Sequence, residues 1–186
     1  MRTFIINTYA TTSPKIDLLK LHKYGLDVVC STIINALFYS NNIRKGITIN
    51  IILNGSPDPP KLITIDSNEV KSLGIDEISI ASKIQEVLRE KETHGMKIEK
   101  RSFESLIKTL PKENTFLLNK RSESIDSIKI TENPIFILGD ASGIQKRTIK
   151  LLTRLGVKKV SIGPKMLFSS QCITIIHNIL DKRHIG

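Results

Sequence analysis

Three observations predict an α/β chain built on a mostly parallel sheet. Short runs of β-branched and aromatic residues alternate with stretches whose apolar residues recur at helical spacing, most regularly in the second half. The run Pro134 to Leu138 (PIFIL) is apolar at every position, as expected of a strand covered on both faces. With 186 residues, 40% of them hydrophobic, the chain can bury one full core, so residues 1–186 are expected to form a single domain.

The elements follow in order. Thr3 to Asn7 reads as a strand, and after a polar stretch Leu26, Val29, Cys30, Ile33, Ile34 and Leu37 share one face of a helix spanning Leu26 to Tyr39. Gly46 to Leu53 is β-branched and strand-like. Asn54-Gly55-Ser56-Pro57-Asp58-Pro59-Pro60 can only turn, and Lys61 to Ile65 returns as a second strand. Ile80, Ile84, Val87 and Leu88 form the apolar stripe of an amphipathic helix over Asp76 to Glu92. The rest reads as a helix from Ser102 to Leu110, strands Thr115 to Leu118 and Pro134 to Leu138, a helix Gln145 to Leu155, a strand Lys159 to Ile162 and a C-terminal helix.

Charge narrows the function. Lys and Arg total 28 against 18 Asp and Glu, a net +10 with a pI near 9.7, which favours a polyanionic partner or an anionic membrane surface. No apolar run approaches the roughly 20 residues needed to span a bilayer. The opening MRTFIINTYATTSPK lacks the apolar stretch and cleavage site of a signal peptide, so a cytoplasmic location is expected. Cys30 and Cys172 are too few for a disulfide framework or a cysteine-rich metal site, and no metal is expected. Cys30 lies on the core stripe of its helix, and His177 reads as a packed helix histidine.

Chemistry should sit in three loops that follow second-half strands: Leu118-Asn119, Leu138 to Gly143, and Ile162-Gly163-Pro164-Lys165-Met166-Leu167. In a parallel sheet all three open at the carboxyl end, where ligands bind. Each alone reads as turn chemistry. No Walker phosphate loop or G-x-G-x-x-G follows a strand, which argues against nucleotide hydrolysis and NAD chemistry. Lys146, Lys150 and Arg154 recur every four residues on one helix face, either a solvated surface or part of a nucleic-acid footprint.

A spaced set of motifs carries a resemblance. Ser161-Ile162-Gly163-Pro164-x-x-Leu167 precedes Cys172-Ile173-Thr174-Ile175-Ile176-His177-Asn178-x-Leu180-Asp181-Lys182. Upstream stand Asn133 to Asp140 (NPIFILGD), Asn42-Ile43-Arg44 and Asn54-Gly55-x-Pro57-x-Pro59-Pro60. Over nearly its whole length the chain resembles the TrmY family, the archaeal tRNA (pseudouridine-N1)-methyltransferases of the SPOUT class. The resemblance implies a SPOUT-type α/β fold whose C-terminal segment threads a loop into a trefoil knot, an exception to unknotted topology. It implies S-adenosyl-L-methionine (SAM) as cofactor, a homodimer, and tRNA as partner, methylated on N1 of the T-loop pseudouridine at position 54.

By position, the family's cofactor contacts fall on Leu118, Gly139, Ile162, Gly163, Pro164, Lys165, Met166, Leu167 and Cys172. Asp27 becomes a candidate proton acceptor or orienter, and Arg44 a candidate RNA contact. The plain alternatives are a helix-end charge for Asp27 and a solvated loop cation for Arg44. The chain departs from the family pattern at Gly25, Ser31 and Ala141, where Arg, Arg and His are usual, all on the expected substrate side. These departures make a catalytically silent RNA-binding module of the same fold one rival reading; the other is the related ribosomal pseudouridine N1-methyltransferase, which shares the chemistry.

Overall fold

A computed structural model describes residues 1–140 and 143–185. Strand β1 (Arg2–Thr8) leads through a long loop and a 3-10 turn (Leu21–Tyr24) into α1 (Leu26–Leu37). The two-residue strands β2 (Phe38–Tyr39) and β3 (Asn42–Ile43) form a small hairpin before β4 (Ile47–Leu53) and β5 (Lys61–Asp66). Then come α2 (Glu77–Leu88), β6 (Met96–Glu99), α3 (Phe103–Lys108), β7 (Thr115–Leu118), β8 (Ile135–Gly139), α4 (Lys146–Arg154), β9 (Lys158–Val160) and α5 (Ser169–Lys182).

Seven strands form one sheet in the order β6-β5-β4-β1-β8-β7-β9. The five from β4 to β9 run parallel, while β5 and β6 add an antiparallel edge. This is the expected mostly parallel sheet. Its central strands alternate between two apolar layers because successive strand residues point to opposite faces. Phe4, Ile6, Phe116, Phe136 and Leu138 face α1, α2 and α5; Ile5, Leu117, Ile135 and Ile137 face α3 and α4. The Phe4, Phe116 and Phe136 rings line up between the layers, with centroids 6.0 and 5.6 Å apart along the row.

Several boundaries differ from the sequence expectation for identifiable reasons. The first helix was expected to reach Tyr39 but stops at Leu37. Phe38 is extended, and the Leu37 carbonyl accepts from the Arg44 N–H at 2.6 Å, closing the hairpin. Asp76 caps the second helix by accepting from the Ser79 N–H at 2.9 Å, so the helix begins one residue later than expected. Strand β6 was not foreseen; its charged residues alternate on a short edge strand that pairs only with β5.

The C-terminal segment is gripped by the loop after β7. Asn119 N–H donates to the Val160 carbonyl at 2.9 Å, Ser161 N–H to Glu123 at 2.7 Å, and Ile125 N–H back to Ser161 at 2.8 Å. Arg183, just past α5, reaches the carbonyls of Ile125 and Ile128 and the carboxylate of Asp126. The segment 119–128 is thus bonded both to the end of β9 and to the end of the chain's last helix.

Candidate active site

The carboxyl ends of the parallel strands all lie at one edge of the sheet, and the expected loops meet there. Between the exits of β7, β8 and β9 lies a cavity of about 350 Å³, within the ~300–1,000 Å³ typical of small-molecule sites. Leu117, Leu138, Ile149, Val160 and Cys172 give it an apolar floor; Asn119, Lys120, Arg121, Asp140 and Lys165 give it a polar rim. Of the residues expected at a cofactor, Leu118, Gly139, Ile162, Gly163, Lys165, Met166, Leu167 and Cys172 line this cavity. Pro164 does not: it is exposed and outside the lining, so only its neighbours reach the pocket.

Gly139 shows why this loop needs glycine. A Cβ there would stand 2.6 Å from the carbonyl carbon and 2.9 Å from the Cα of Gly143, closer than a Cβ normally tolerates. The reason is close approach of backbone to backbone, with no unusual φ involved. The Gly139 carbonyl accepts from the Ser169 hydroxyl, which ties the β8 exit to the first turn of α5. Ser161 Oγ donates to the Gly163 carbonyl at 3.0 Å and accepts its N–H at 3.2 Å, fixing the third loop. Serines thus hold the backbone of two of the three loops in place, and backbone N–H and C=O groups there can read the edge of a flat heterocycle.

The cavity fits an adenosine-bearing sulfonium better than a metal. Its floor is apolar and its Cys172 thiol is pushed up to about 11 by burial, so it packs as a neutral group beside the Leu167 carbonyl. Among the described residues no group of three His, Cys, Asp or Glu could hold a metal ion. None of their helices is long and apolar enough to cross a membrane.

The substrate-side candidates separate. Asp27 is half-buried in the first turn of α1, which starts at the same edge as the pocket because the preceding loop leaves β1 at its carboxyl end. Its side chain has no hydrogen bond or ion pair among the described residues. Arg44 lies at the opposite edge, where its guanidinium donates to Asp181 at 2.9 Å and stacks on Tyr39 with the ring centroid 5.2 Å away. Gly25 sits in the left-handed region at φ 67, with its Cβ position 3.2 Å from the Ala10 Cα, so this turn disfavours any side chain. Ser31 bonds the Val28 carbonyl at 3.0 Å within its own helix. Ala141 lies outside the described residues.

A second polar cluster was missed. Arg2, 5% exposed, donates to His177 Nδ1 at 2.9 Å and to Asp181 at 2.7 Å. An arginine can only donate, so Nδ1 accepts, and Nε2–H therefore donates to the Ala36 carbonyl at 3.1 Å. Burial, with Arg44 and Arg2 nearby, pushes the His177 pKa down to about 4. Burial would raise Asp181, but its bonds to Arg2 and Arg44 outweigh that and hold its carboxyl below the usual range. His177 is thus the packed histidine that the sequence suggested.

The layered sheet with a loop-walled cavity at its carboxyl edge is a fold that this chain shares with solved structures holding S-adenosyl cofactors. Its fold matches that of Nep1 from Archaeoglobus fulgidus bound to S-adenosylhomocysteine, with a TM-score of 0.69 at 9% identity over 98% of this chain and 97% of that one. It also matches ribosomal RNA small subunit methyltransferase E from Neisseria gonorrhoeae, TM-score 0.56 at 12% identity over 98% of this chain and 66% of that one. The family model described as "Putative SAM-dependent RNA methyltransferase" matches residues 1–185, and the chain belongs to that family. Among its relatives are the tRNA (pseudouridine(54)-N(1))-methyltransferase of Methanocaldococcus jannaschii, 33% identical over 100% of this chain and 98% of the relative. Another is a Vibrio atlanticus protein named "Putative pseudouridine methyltransferase", 32% identical over 98% and 99%.

Proposed function

We propose that this chain methylates N1 of pseudouridine in the T-loop of tRNA, at position 54, using SAM held in the cavity between β7, β8 and β9. The observation that carries the reading is the convergence of the Leu118, Gly139 and Ile162–Leu167 loops on one cavity of suitable size and apolarity. The full-length likeness to a relative named for that reaction supplies the substrate.

When bound, SAM supplies a methyl group on a sulfonium, an electrophile that needs no metal. The chain has two tasks: to hold that methyl in line with N1, and to let the N1 proton leave as the new N–C bond forms and the S–C bond breaks. The backbone of the Gly139 and Gly163 loops would hold the adenosine, and the apolar floor would exclude water. Asp27 is the candidate acceptor or orienter for the proton. Arg44 is the weaker substrate-side candidate, since its guanidinium is already engaged with Asp181 and Tyr39. The exposed Met166 and Phe168 beside the cavity, 75% and 61% accessible, support a homodimer that covers them. The bonds from segment 119–128 to Ser161 and Arg183 support a C-terminal trefoil knot, and a tRNA substrate supports a cytoplasmic location.

Labelled SAM mixed with purified protein and tRNA carrying pseudouridine at position 54 tests this directly. Label should appear as N1-methylpseudouridine and be absent with uridine at that site. Methylation of ribosomal RNA instead would favour the ribosomal reading, and no transfer to any RNA would favour the silent binding module.

A further inference from the structure

Between Asp140 and Asp181 the chain has no acidic residue, yet it carries seven Lys and Arg: Lys146, Arg147, Lys150, Arg154, Lys158, Lys159 and Lys165. Seven of the chain's excess of ten positive charges therefore fall in this one stretch. None of the seven joins an ion pair among the described residues, although basic residues elsewhere pair with Asp17, Asp58, Glu86, Glu99, Asp126 and Asp181.

Helix α4 concentrates them against its own electrostatics. A helix N-terminus favours anions, and both α2 and α3 obey this with a side-chain cap and an acid in the first turn, Glu77 and Glu104. Helix α4 has neither; it opens with Lys146 and Arg147 on an uncapped end. Lys146, Lys150 and Arg154 then repeat at i, i+4, where like charges repel. All three are exposed, while Leu152 and Ile149 on the opposite face hold the helix to the core. The ridge, about 12 Å long at 1.5 Å per residue, begins at the cavity, because Ile144 and Ile149 belong to its lining together with Lys120, Arg121 and Lys165. Exposed Lys158 extends it along the terminal strand of the sheet.

We propose that this ridge is where the phosphate backbone of the substrate RNA docks, leading the strand to the mouth of the cavity. The proposal rests on the RNA methyltransferase reading. An anionic partner would relieve the repulsion that the free helix bears, so the residues cost stability in the free protein and contribute it in the complex.

The combined variant Lys146→Ala, Lys150→Ala, Arg154→Ala tests it, beside a control of equal charge loss on the far antiparallel edge and α3, Lys91→Ala, Lys97→Ala, Lys108→Ala. The ridge variant should melt at the same temperature as wild type or higher, and bind SAM unchanged. Its tRNA affinity should fall roughly tenfold or more, and its slope of log affinity against log salt should shrink by about 2, as three lost phosphate contacts imply. The control should change the affinity far less. Wild type that binds tRNA with the ridge variant equal to it, or with the control equally weakened, overturns the ridge alone. Wild type that binds no RNA overturns the methyltransferase reading and the ridge with it. Binding of phosphatidylserine vesicles lost in the ridge variant while tRNA binding persists would reassign the surface to a membrane.

Discussion

At the amino ends of the parallel strands, Arg2, Arg44, Asp181 and His177 interlock until each has a partner. At the carboxyl ends, glycine loops leave a cavity of about 350 Å³ whose rim of Asn119, Lys120, Arg121 and Lys165 faces outward. Helices α1 and α5 span both ends, starting near the cavity and finishing at the cluster. The same two helices therefore serve opposite purposes: their last turns are closed by buried polar bonds that fix the fold, and their first turns lie at the carboxyl edge, where Ser169 and Cys172 of α5 line the cavity. A satisfied polar network contributes to stability and specificity, whereas an open one is available for chemistry. Substitutions at the two ends should accordingly change different observables.

The largest effect should come from the open end. In Gly139→Val, the Cβ that would stand 2.6 Å from Gly143 must push the loop aside, and SAM binding should fall below detection by calorimetry. Because Gly139 is the last residue of β8, the circular dichroism spectrum and tRNA binding should persist. Normal SAM affinity in this variant would remove the cavity from the reaction and dissolve the contrast.

How much of this contrast could be read from the sequence differs between the two ends. The strands of the parallel sheet and β5 were legible because β-branched and apolar runs such as GITINIIL and PIFIL leave little other choice. The cavity was legible because three loops after parallel strands must open together, and because spaced motifs carried the family resemblance. Ser169 and the Lys120–Arg121 pair were not singled out, since a serine starting a helix and two cations after a strand look like ordinary surface. The Arg2 cluster was invisible for a stronger reason. Its partners are separated by 175 and 179 residues, and no local period links a first-strand arginine to a last-helix histidine. Strand β2 was read as the end of the first helix because Phe38 and Tyr39 prolong an apolar stripe, which the bond from the Arg44 N–H to the Leu37 carbonyl ends.

At the closed end the expected effect is on stability and its pH dependence. The folded pKa of His177 lies near 4, below its ordinary 6.5, so between these values the unfolded chain binds the proton and the folded one does not. This contribution is complete above about pH 6.5, is lost as pH falls toward 4, and amounts to on the order of 3 kcal/mol. Urea titrations at a series of pH values should show it. His177→Gln can accept from Arg2 and donate to Ala36 without titrating, so its stability should vary less across that window. SAM affinity should be the same in both proteins. An equal pH slope in the variant would mean that folding does not depress the His177 pKa.

Asp27→Asn sharpens the substrate side of the open end. It removes a charge from the first turn of α1 without changing shape, so SAM affinity should stay and the single-turnover methylation rate should drop about tenfold or more. An unchanged rate would reduce Asp27 to a charge at a helix end, worth only ~0.3–1 kcal/mol to the fold.

The smallest effect separates the two cysteines, Cys30 on α1 and Cys172 on α5, by their surroundings. Cys30 is fully buried and its thiol is pushed up to about 12, first by desolvation and then by Glu77 and Asp27. Cys172 is only half-buried on the cavity floor, with its thiol near 11. At pH 8 the Cys172 thiolate is then roughly one part in a thousand, so alkylation by a neutral reagent should be slow and should quicken about tenfold per pH unit. Cys30 should not react until the protein unfolds. SAM should slow the labelling of Cys172 if the cofactor lies against that floor, and Cys172→Ala should weaken SAM only a few-fold, since one small apolar contact is lost and the backbone walls remain. Labelling of Cys172 that is indifferent to saturating SAM would move the cofactor away from the α5 side of the cavity, even if Gly139→Val had already tied it to the β8 loop.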